Sequence, residues 1–95
     1  MANPSVTSQV EIYTWSTCPY CLRAKDLLDR KKVDYVEYNL DGDDAGRAKM
    51  IERTGGHRTL PQIYIQGKHV GGCDDLHALD AAGKLEPMLK ALHRG

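Results

Sequence analysis

Two cysteines separated by a proline and a tyrosine, Cys18-Pro19-Tyr20-Cys21, stand where an apolar run gives way to a helical pattern. The run is Val10 to Trp15, and the pattern continues to Lys32. Few structures satisfy such a junction. Proline suits the first helical position, where its missing N–H costs nothing and its fixed φ is already helical. With Pro19 there, Cys18 becomes the N-cap, its sulfur near the unpaired N–H groups of Tyr20 and Cys21 and the positive end of the helix dipole. Both effects favour thiolate over thiol, and the thiolate is the nucleophile. Cys21 follows one turn along the same face. The pair can then reach disulfide distance, with Cα atoms roughly 5–6 Å apart, without remodelling the backbone. The spacing suits a disulfide that is made and broken.

Other uses of the pair fit less well. A structural disulfide over so short a loop constrains the unfolded chain little. Structural zinc asks for a second cysteine pair or for histidines three to five residues apart. This chain has one pair, a distant Cys73, and His57, His69, His77 and His93 at other spacings. No metal is expected.

The 95 residues suffice for one domain, expected over 9–95, behind a mobile lead-in at 1–8. Thirteen basic residues balance thirteen acidic ones, so no nucleic-acid surface is indicated. The first eight residues lack both the basic and the apolar region of a signal peptide. No apolar run approaches the ~20 residues needed to cross a bilayer, so no membrane association is expected. An odd cysteine count argues against a secreted disulfide framework and for a reducing, cytoplasmic setting.

Val10 to Trp15 reads as a strand, and Leu22, Ala24, Leu27 and Leu28 give the following helix its apolar face. Val33 to Leu40 reads as a second strand, with Val36, Tyr38 and Leu40 sharing one side. A strand, helix and strand in so short a stretch imply a right-handed crossover and a parallel pair. Asp41-Gly42-Asp43-Asp44 is a turn with Asp44 as the cap of a helix over Ala45 to Thr54, its Ala48 and Ile51 facing inward. Gly55-Gly56 stops that helix. Pro61 to Ile65, the turn Gln66-Gly67, and Lys68 to Val70 predict an antiparallel hairpin. Asp74 or Asp75 is placed to cap a third helix with Leu76, Leu79 and Ala82. A last short helix, with Pro87 in its first turn, presents Leu85, Met88, Leu89 and Leu92. The predicted fold class is α/β: a four-stranded mixed sheet in the order β-α-β-α-β-β-α-α, with helices on both faces. The cysteines lie at the C-terminal end of the first strand, where open α/β sheets keep their sites.

Cys18-Pro19-Tyr20-Cys21, Thr59-Leu60-Pro61 and Gly71-Gly72-Cys73-Asp74-Asp75, in this order and spacing, resemble the dithiol glutaredoxins over residues 9 to 93. The resemblance implies the thioredoxin fold and glutathione-dependent reduction of protein disulfides and glutathione mixed disulfides. It implies that Cys18 attacks, that Cys21 resolves, and that the two form the redox-active disulfide, with Pro19 and Tyr20 in the active-site loop. Pro61 matches the family's cis-proline; without the resemblance, a trans proline opening a strand is the commoner state. By similarity, Arg58, Thr59, Leu60, Gly72, Cys73 and Asp74 line a glutathione groove, Leu60 and Cys73 through their backbones. Arg58 would take one carboxylate, the N–H groups after Gly72 the other, and Asp74 the ammonium.

The residues themselves leave alternatives open. Arg58 also reads as a solvated loop charge, Asp74 as a helix cap, and Gly71 and Gly72 as positions needing positive φ. Trp15 stands where many glutaredoxins have lysine, which shifts thiolate stabilisation to the helix terminus and to Arg58 or Arg23. Trp15 either packs under the loop or adds an apolar wall. Expected partners are glutathione, disulfide-bonded or glutathionylated proteins, and glutathione reductase indirectly; the chain is expected to act as a monomer. The competing function is an iron–sulfur module with glutathione co-ligands, a use that brings four thiolates together.

Overall fold

A computed structural model describes residues 10–92. The expected lead-in, His93 and the side chain of Leu92 lie outside the described residues. The elements run β1 (Val10–Thr14), α1 (Pro19–Arg30), β2 (Val36–Asn39), α2 (Asp44–Arg53), β3 (Gln62–Ile65), β4 (Lys68–Gly71), α3 (Cys73–Ala81) and α4 (Leu85–Leu92). The strands order β2-β1-β3-β4. β1 pairs parallel with β2 and antiparallel with β3, and β3 pairs antiparallel with β4. This is the predicted order and the predicted mixed sheet.

Strand alternation gives the sheet two unlike faces. Val10, Ile12, Ile63 and Ile65 point to one side, into a core with Ala24, Leu27 and Leu28 of α1, Leu76 of α3, and Leu85 and Leu89 of α4. Glu11, Tyr13 and Tyr64 point to the other side, where Arg53 at the end of α2 lies over them. Its guanidinium pairs with Glu11 at 2.9 and 3.0 Å and sits 3.7 Å from the centre of the Tyr64 ring. α2 thus closes the second face with a charge and aromatic rings rather than an apolar stripe. No described helix is long and apolar enough to cross a membrane.

Four local expectations need correction. In α1 the buried face is Cys21, Ala24, Leu27 and Leu28, while Leu22 is 57% exposed. At 100° per residue, Leu22 falls opposite the line through 21, 24 and 28. β2 begins only at Val36, because Lys31 to Val33 close the helix. Lys32 adopts φ 58°, and the Val33 N–H returns to the Leu28 carbonyl at 3.3 Å. Asp43, not Asp44, caps α2, accepting from the Gly46 N–H at 2.8 Å; the inward side chain is Met50, with Ile51 half-buried and Ala48 exposed. Neither Asp74 nor Asp75 is the N-cap of α3. Gly72 holds that position, and Asp75, three residues in, reaches back to the Gly72 N–H at 3.0 Å. In α3, Leu76 is buried, Leu79 packs partly against the core, and Ala82 is exposed at the C-cap.

Candidate functional site

The end of β1 delivers the chain into the loop Trp15 to Thr17, and the Cys18 N–H closes it on the Trp15 carbonyl at 3.2 Å. Pro19 then starts α1, and Cys18 is its N-cap in extended conformation, φ −98° and ψ 107°. The cap is made by the sulfur, which accepts the Cys21 N–H at 3.2 Å. The Tyr20 N–H, expected to share that role, makes no such bond. From the other side the Cys18 thiol donates to the Leu60 carbonyl at 3.7 Å. All three cysteines are free thiols.

The paired cysteines differ sharply in surroundings. Cys18 is half-buried, whereas Cys21 is 1% exposed on the core side of α1. Burial above all, and then the hydrogen bond with Cys18, push the Cys21 thiol up to about 12. Cys73 is also buried, and its thiol is raised by that burial and by the neighbouring Asp74 charge.

The Leu60–Pro61 bond is cis, as the resemblance implied. The loop before β3 lies against the cysteine turn, where the Leu60 carbonyl meets the Cys18 thiol, and a hollow opens on each side of it. One, a groove of about 460 Å³, is walled by Tyr20, Thr59, Leu60, Pro61, Gly72 and Asp74, with Cys73 also lining it. The other, of about 470 Å³, contains Cys18 with Trp15, Arg47, Arg58, Thr59 and Leu60. Thr59 and Leu60 face both. Of the residues expected to share one groove, only Arg58 departs: it lines the second hollow.

The glycines at the start of α3 divide the work. Gly71 takes φ 119°, closed to most side chains, and a Cβ there would strike the Asp75 carboxylate. Gly72 has an ordinary φ of −100°, but a Cβ would press to 3.3 Å from the Pro61 carbonyl. The Gly72 N–H is taken by Asp75. The N–H groups of Cys73 and Asp74, in the first turn of α3, remain the donors a bound anion would meet there.

Sequence reasoning missed several residues. Arg47 of α2 places its guanidinium 5.0 Å from the Trp15 ring centre and donates to the Arg58 carbonyl at 2.9 Å. Trp15 is accordingly a wall, 40% exposed, and not packing beneath the loop. Nothing local signals this contact, because 32 residues separate the partners. Arg23, which the sequence did offer as a partner for the thiolate, is found over the Tyr20 ring, 5.7 Å from its centre. His57 and Gln62 also line the groove. Gln62 could have been flagged as the polar opening residue of a strand otherwise apolar, Gln-Ile-Tyr-Ile.

The glutaredoxin family model matches residues 10–70. A probable glutaredoxin of Synechocystis sp. is 56% identical over 85 residues, covering 90% of this chain and 97% of that protein. Glutaredoxin 3 of Escherichia coli is 57% identical over 83 residues, covering 87% and 99%. The crystal structure of a buckwheat glutaredoxin–glutathione complex superposes with TM-score 0.82 at 35% identity, over 92% of this chain and 82% of that one. With likeness this high along nearly the whole chain, in sequence and in fold alike, the protein belongs to the glutaredoxin family of oxidoreductases.

Proposed function

We propose that the protein is a glutathione-dependent thiol–disulfide oxidoreductase in which Cys18 is the nucleophile and Cys21 the resolving thiol. Cys18 carries this assignment: a partly accessible sulfur that caps α1, meets the carbonyl of Leu60, a residue lining both hollows, and opens onto the second of them. Glutathione has two carboxylates and one ammonium. The acidic groove at Asp74, with the first N–H groups of α3, suits the ammonium and carboxylate of its γ-glutamyl end. Arg58 in the second hollow suits the glycine carboxylate. The Leu60 backbone lies between them, where an extended tripeptide can pair with it as a short strand. The buckwheat complex supports this choice of ligand.

In the one-cysteine cycle the Cys18 thiolate attacks the glutathione sulfur of a mixed disulfide, and the substrate leaves as a thiolate that takes up a proton. A second glutathione thiolate then attacks the glutathione sulfur on Cys18, releasing oxidised glutathione and the Cys18 thiolate. In the two-cysteine cycle Cys18 attacks a protein disulfide, Cys21 loses its proton and displaces the protein from Cys18, and two glutathiones reduce the resulting Cys18–Cys21 bond. Rates follow thiolate fraction, nucleophilicity and leaving group together. The partners are then glutathione, disulfide-bonded or glutathionylated proteins and, through glutathione, its reductase.

The decisive test is NADPH consumption with a glutathione mixed disulfide, glutathione and glutathione reductase, run against thioredoxin reductase alone. Turnover is expected only in the first. Reduction by thioredoxin reductase without glutathione would overturn the proposal.

A further inference from the structure

Gln62 opens β3 directly after Pro61 and is only 2% exposed. A buried amide must place both of its ends, and this one does. Its Nε2 donates to the Thr59 carbonyl at 2.9 Å and to Thr59 Oγ1 at 3.2 Å. Its Oε1 meets His69 Nε2 at 2.6 Å. The Thr59 carbonyl only accepts, so the NH2 group must face it. That choice decides the rest. Oε1 faces His69, whose Nε2 must therefore carry a hydrogen in the neutral ring as well as the charged one. Thr59 Oγ1 accepts from Gln62, which leaves its own hydroxyl hydrogen to donate elsewhere. Thr59 faces both hollows beside Cys18.

We propose that Gln62, oriented by His69, is a positioning residue for glutathione. It locks the Thr59 carbonyl away from the ligand, turns the Thr59 hydroxyl into a donor for an acceptor on the tripeptide, and thereby sets the Leu60 backbone edge. This rests on the groove being the glutathione site, and it adds two residues that do not touch the ligand's sulfur. His69 is suited to the task by its surroundings. Its ring stacks on Tyr64 with centroids 5.0 Å apart and meets His57 edge-on at 5.3 Å. The orienting chain, His69 to Gln62 to Thr59, runs from the outer strand β4 to the loop over Cys18.

The test is steady-state kinetics with a glutathionylated peptide, comparing wild type with Gln62→Met, His69→Phe and His69→Gln. Gln62→Met keeps the shape and removes both ends of the amide. His69→Phe keeps the ring without the donor, and His69→Gln restores a donor near the Nε2 position. Gln62→Met is expected to raise KM for glutathione by about three- to tenfold, the range of one or two lost hydrogen bonds. Its kcat should stay within about twofold, and Cys18 alkylation by iodoacetamide should be unchanged. His69→Phe should raise KM in the same sense, and His69→Gln should recover it. His69 lies at an exposed position of β4, so this second pair decides the matter if Gln62→Met fails to fold. In the wild type, 15N NMR should find neutral His69 protonated on Nε2. A wild type without glutathione turnover would overturn the functional proposal and this one with it. An active wild type whose variants lower melting temperature but leave KM unchanged would overturn the positioning role alone, as would an Nδ1-protonated His69.

Discussion

Cys18 and Cys21 sit one helical turn apart in unlike environments, and that difference has measurable consequences. Cys21 is held as a thiol by burial and by Cys18, whereas Cys18 opens onto a hollow. Alkylation needs both access and thiolate. Iodoacetamide at pH 8 should therefore label Cys18 and spare Cys21 and Cys73, as read by peptide mass spectrometry; labelling of Cys21 at a comparable rate would contradict the burial argument. Cys18→Ser should abolish transfer. Cys21→Ser should keep substantial deglutathionylation, because external glutathione can still clear Cys18. It should lose most protein-disulfide reduction, because an attacking thiol one turn away has a large effective concentration. Loss of both activities would make both thiols obligatory. At this scale the sequence was most legible for Cys18, whose capping role follows from the proline after it. It was least legible for Arg47 and Gln62, whose roles depend on contacts between separate elements.

Among the elements, α2 is where expectation and structure part most, and the cause is physical. Its sequence pattern places Ala48 and Ile51 on the inward side. The helix instead buries Met50 and docks through Arg53, which pairs with Glu11, bonds the Tyr13 hydroxyl at 3.0 Å and covers Tyr64. Glu11 is 9% exposed and also accepts from the Tyr38 hydroxyl at 2.9 Å. Arg53→Ala leaves that carboxylate without its cation, at a cost of about 2–3 kcal/mol for the charged hydrogen bonds. Asp43→Ala removes only an exposed cap on the same helix and should cost about 1 kcal/mol. Urea unfolding of the two variants measures both. Equal losses would show that solvent screens the Glu11–Arg53 pair to the strength of an ordinary surface contact. By contrast the presence and order of α1, α3 and the hairpin were readable from periodicity and turn residues, because leucines and isoleucines supply most of their buried faces, with Leu22 of α1 and the buried amide of Gln62 as the exceptions.

Taken across the molecule, the two faces of the sheet make stability depend on pH from both sides. On the acid side, burial first and the neighbouring His57 second hold His69 below its ordinary 6.5. The Arg53 hydrogen bond above all, against the opposing effect of burial, holds Glu11 below 4.5. Groups lowered in the fold stabilise it above their unfolded values, and that contribution is lost as pH falls. Stability should start to decline below about pH 6.5 through His69 and fall further below about 4.5 through Glu11. On the alkaline side Cys21 is raised from 9.0 to about 12, so its contribution is complete below pH 9 and is lost as pH climbs between those values. Tyr38 and Tyr64, both raised chiefly by burial, act in the same direction from their ordinary 10.0. The expected profile is a plateau from about pH 6.5 to 9 with a shoulder on each side. Urea midpoints across pH should show it for the wild type. His69→Phe should remove the decline between 6.5 and 4.5, Glu11→Gln should reduce the one below it, to which Glu37 and Asp41 also contribute, and Cys21→Ser should soften the alkaline limb. An alkaline limb identical in Cys21→Ser would mean that the other raised groups, Cys73, Lys31 and the tyrosines, produce it, and that the buried Cys21 thiol adds nothing to the stability of the fold.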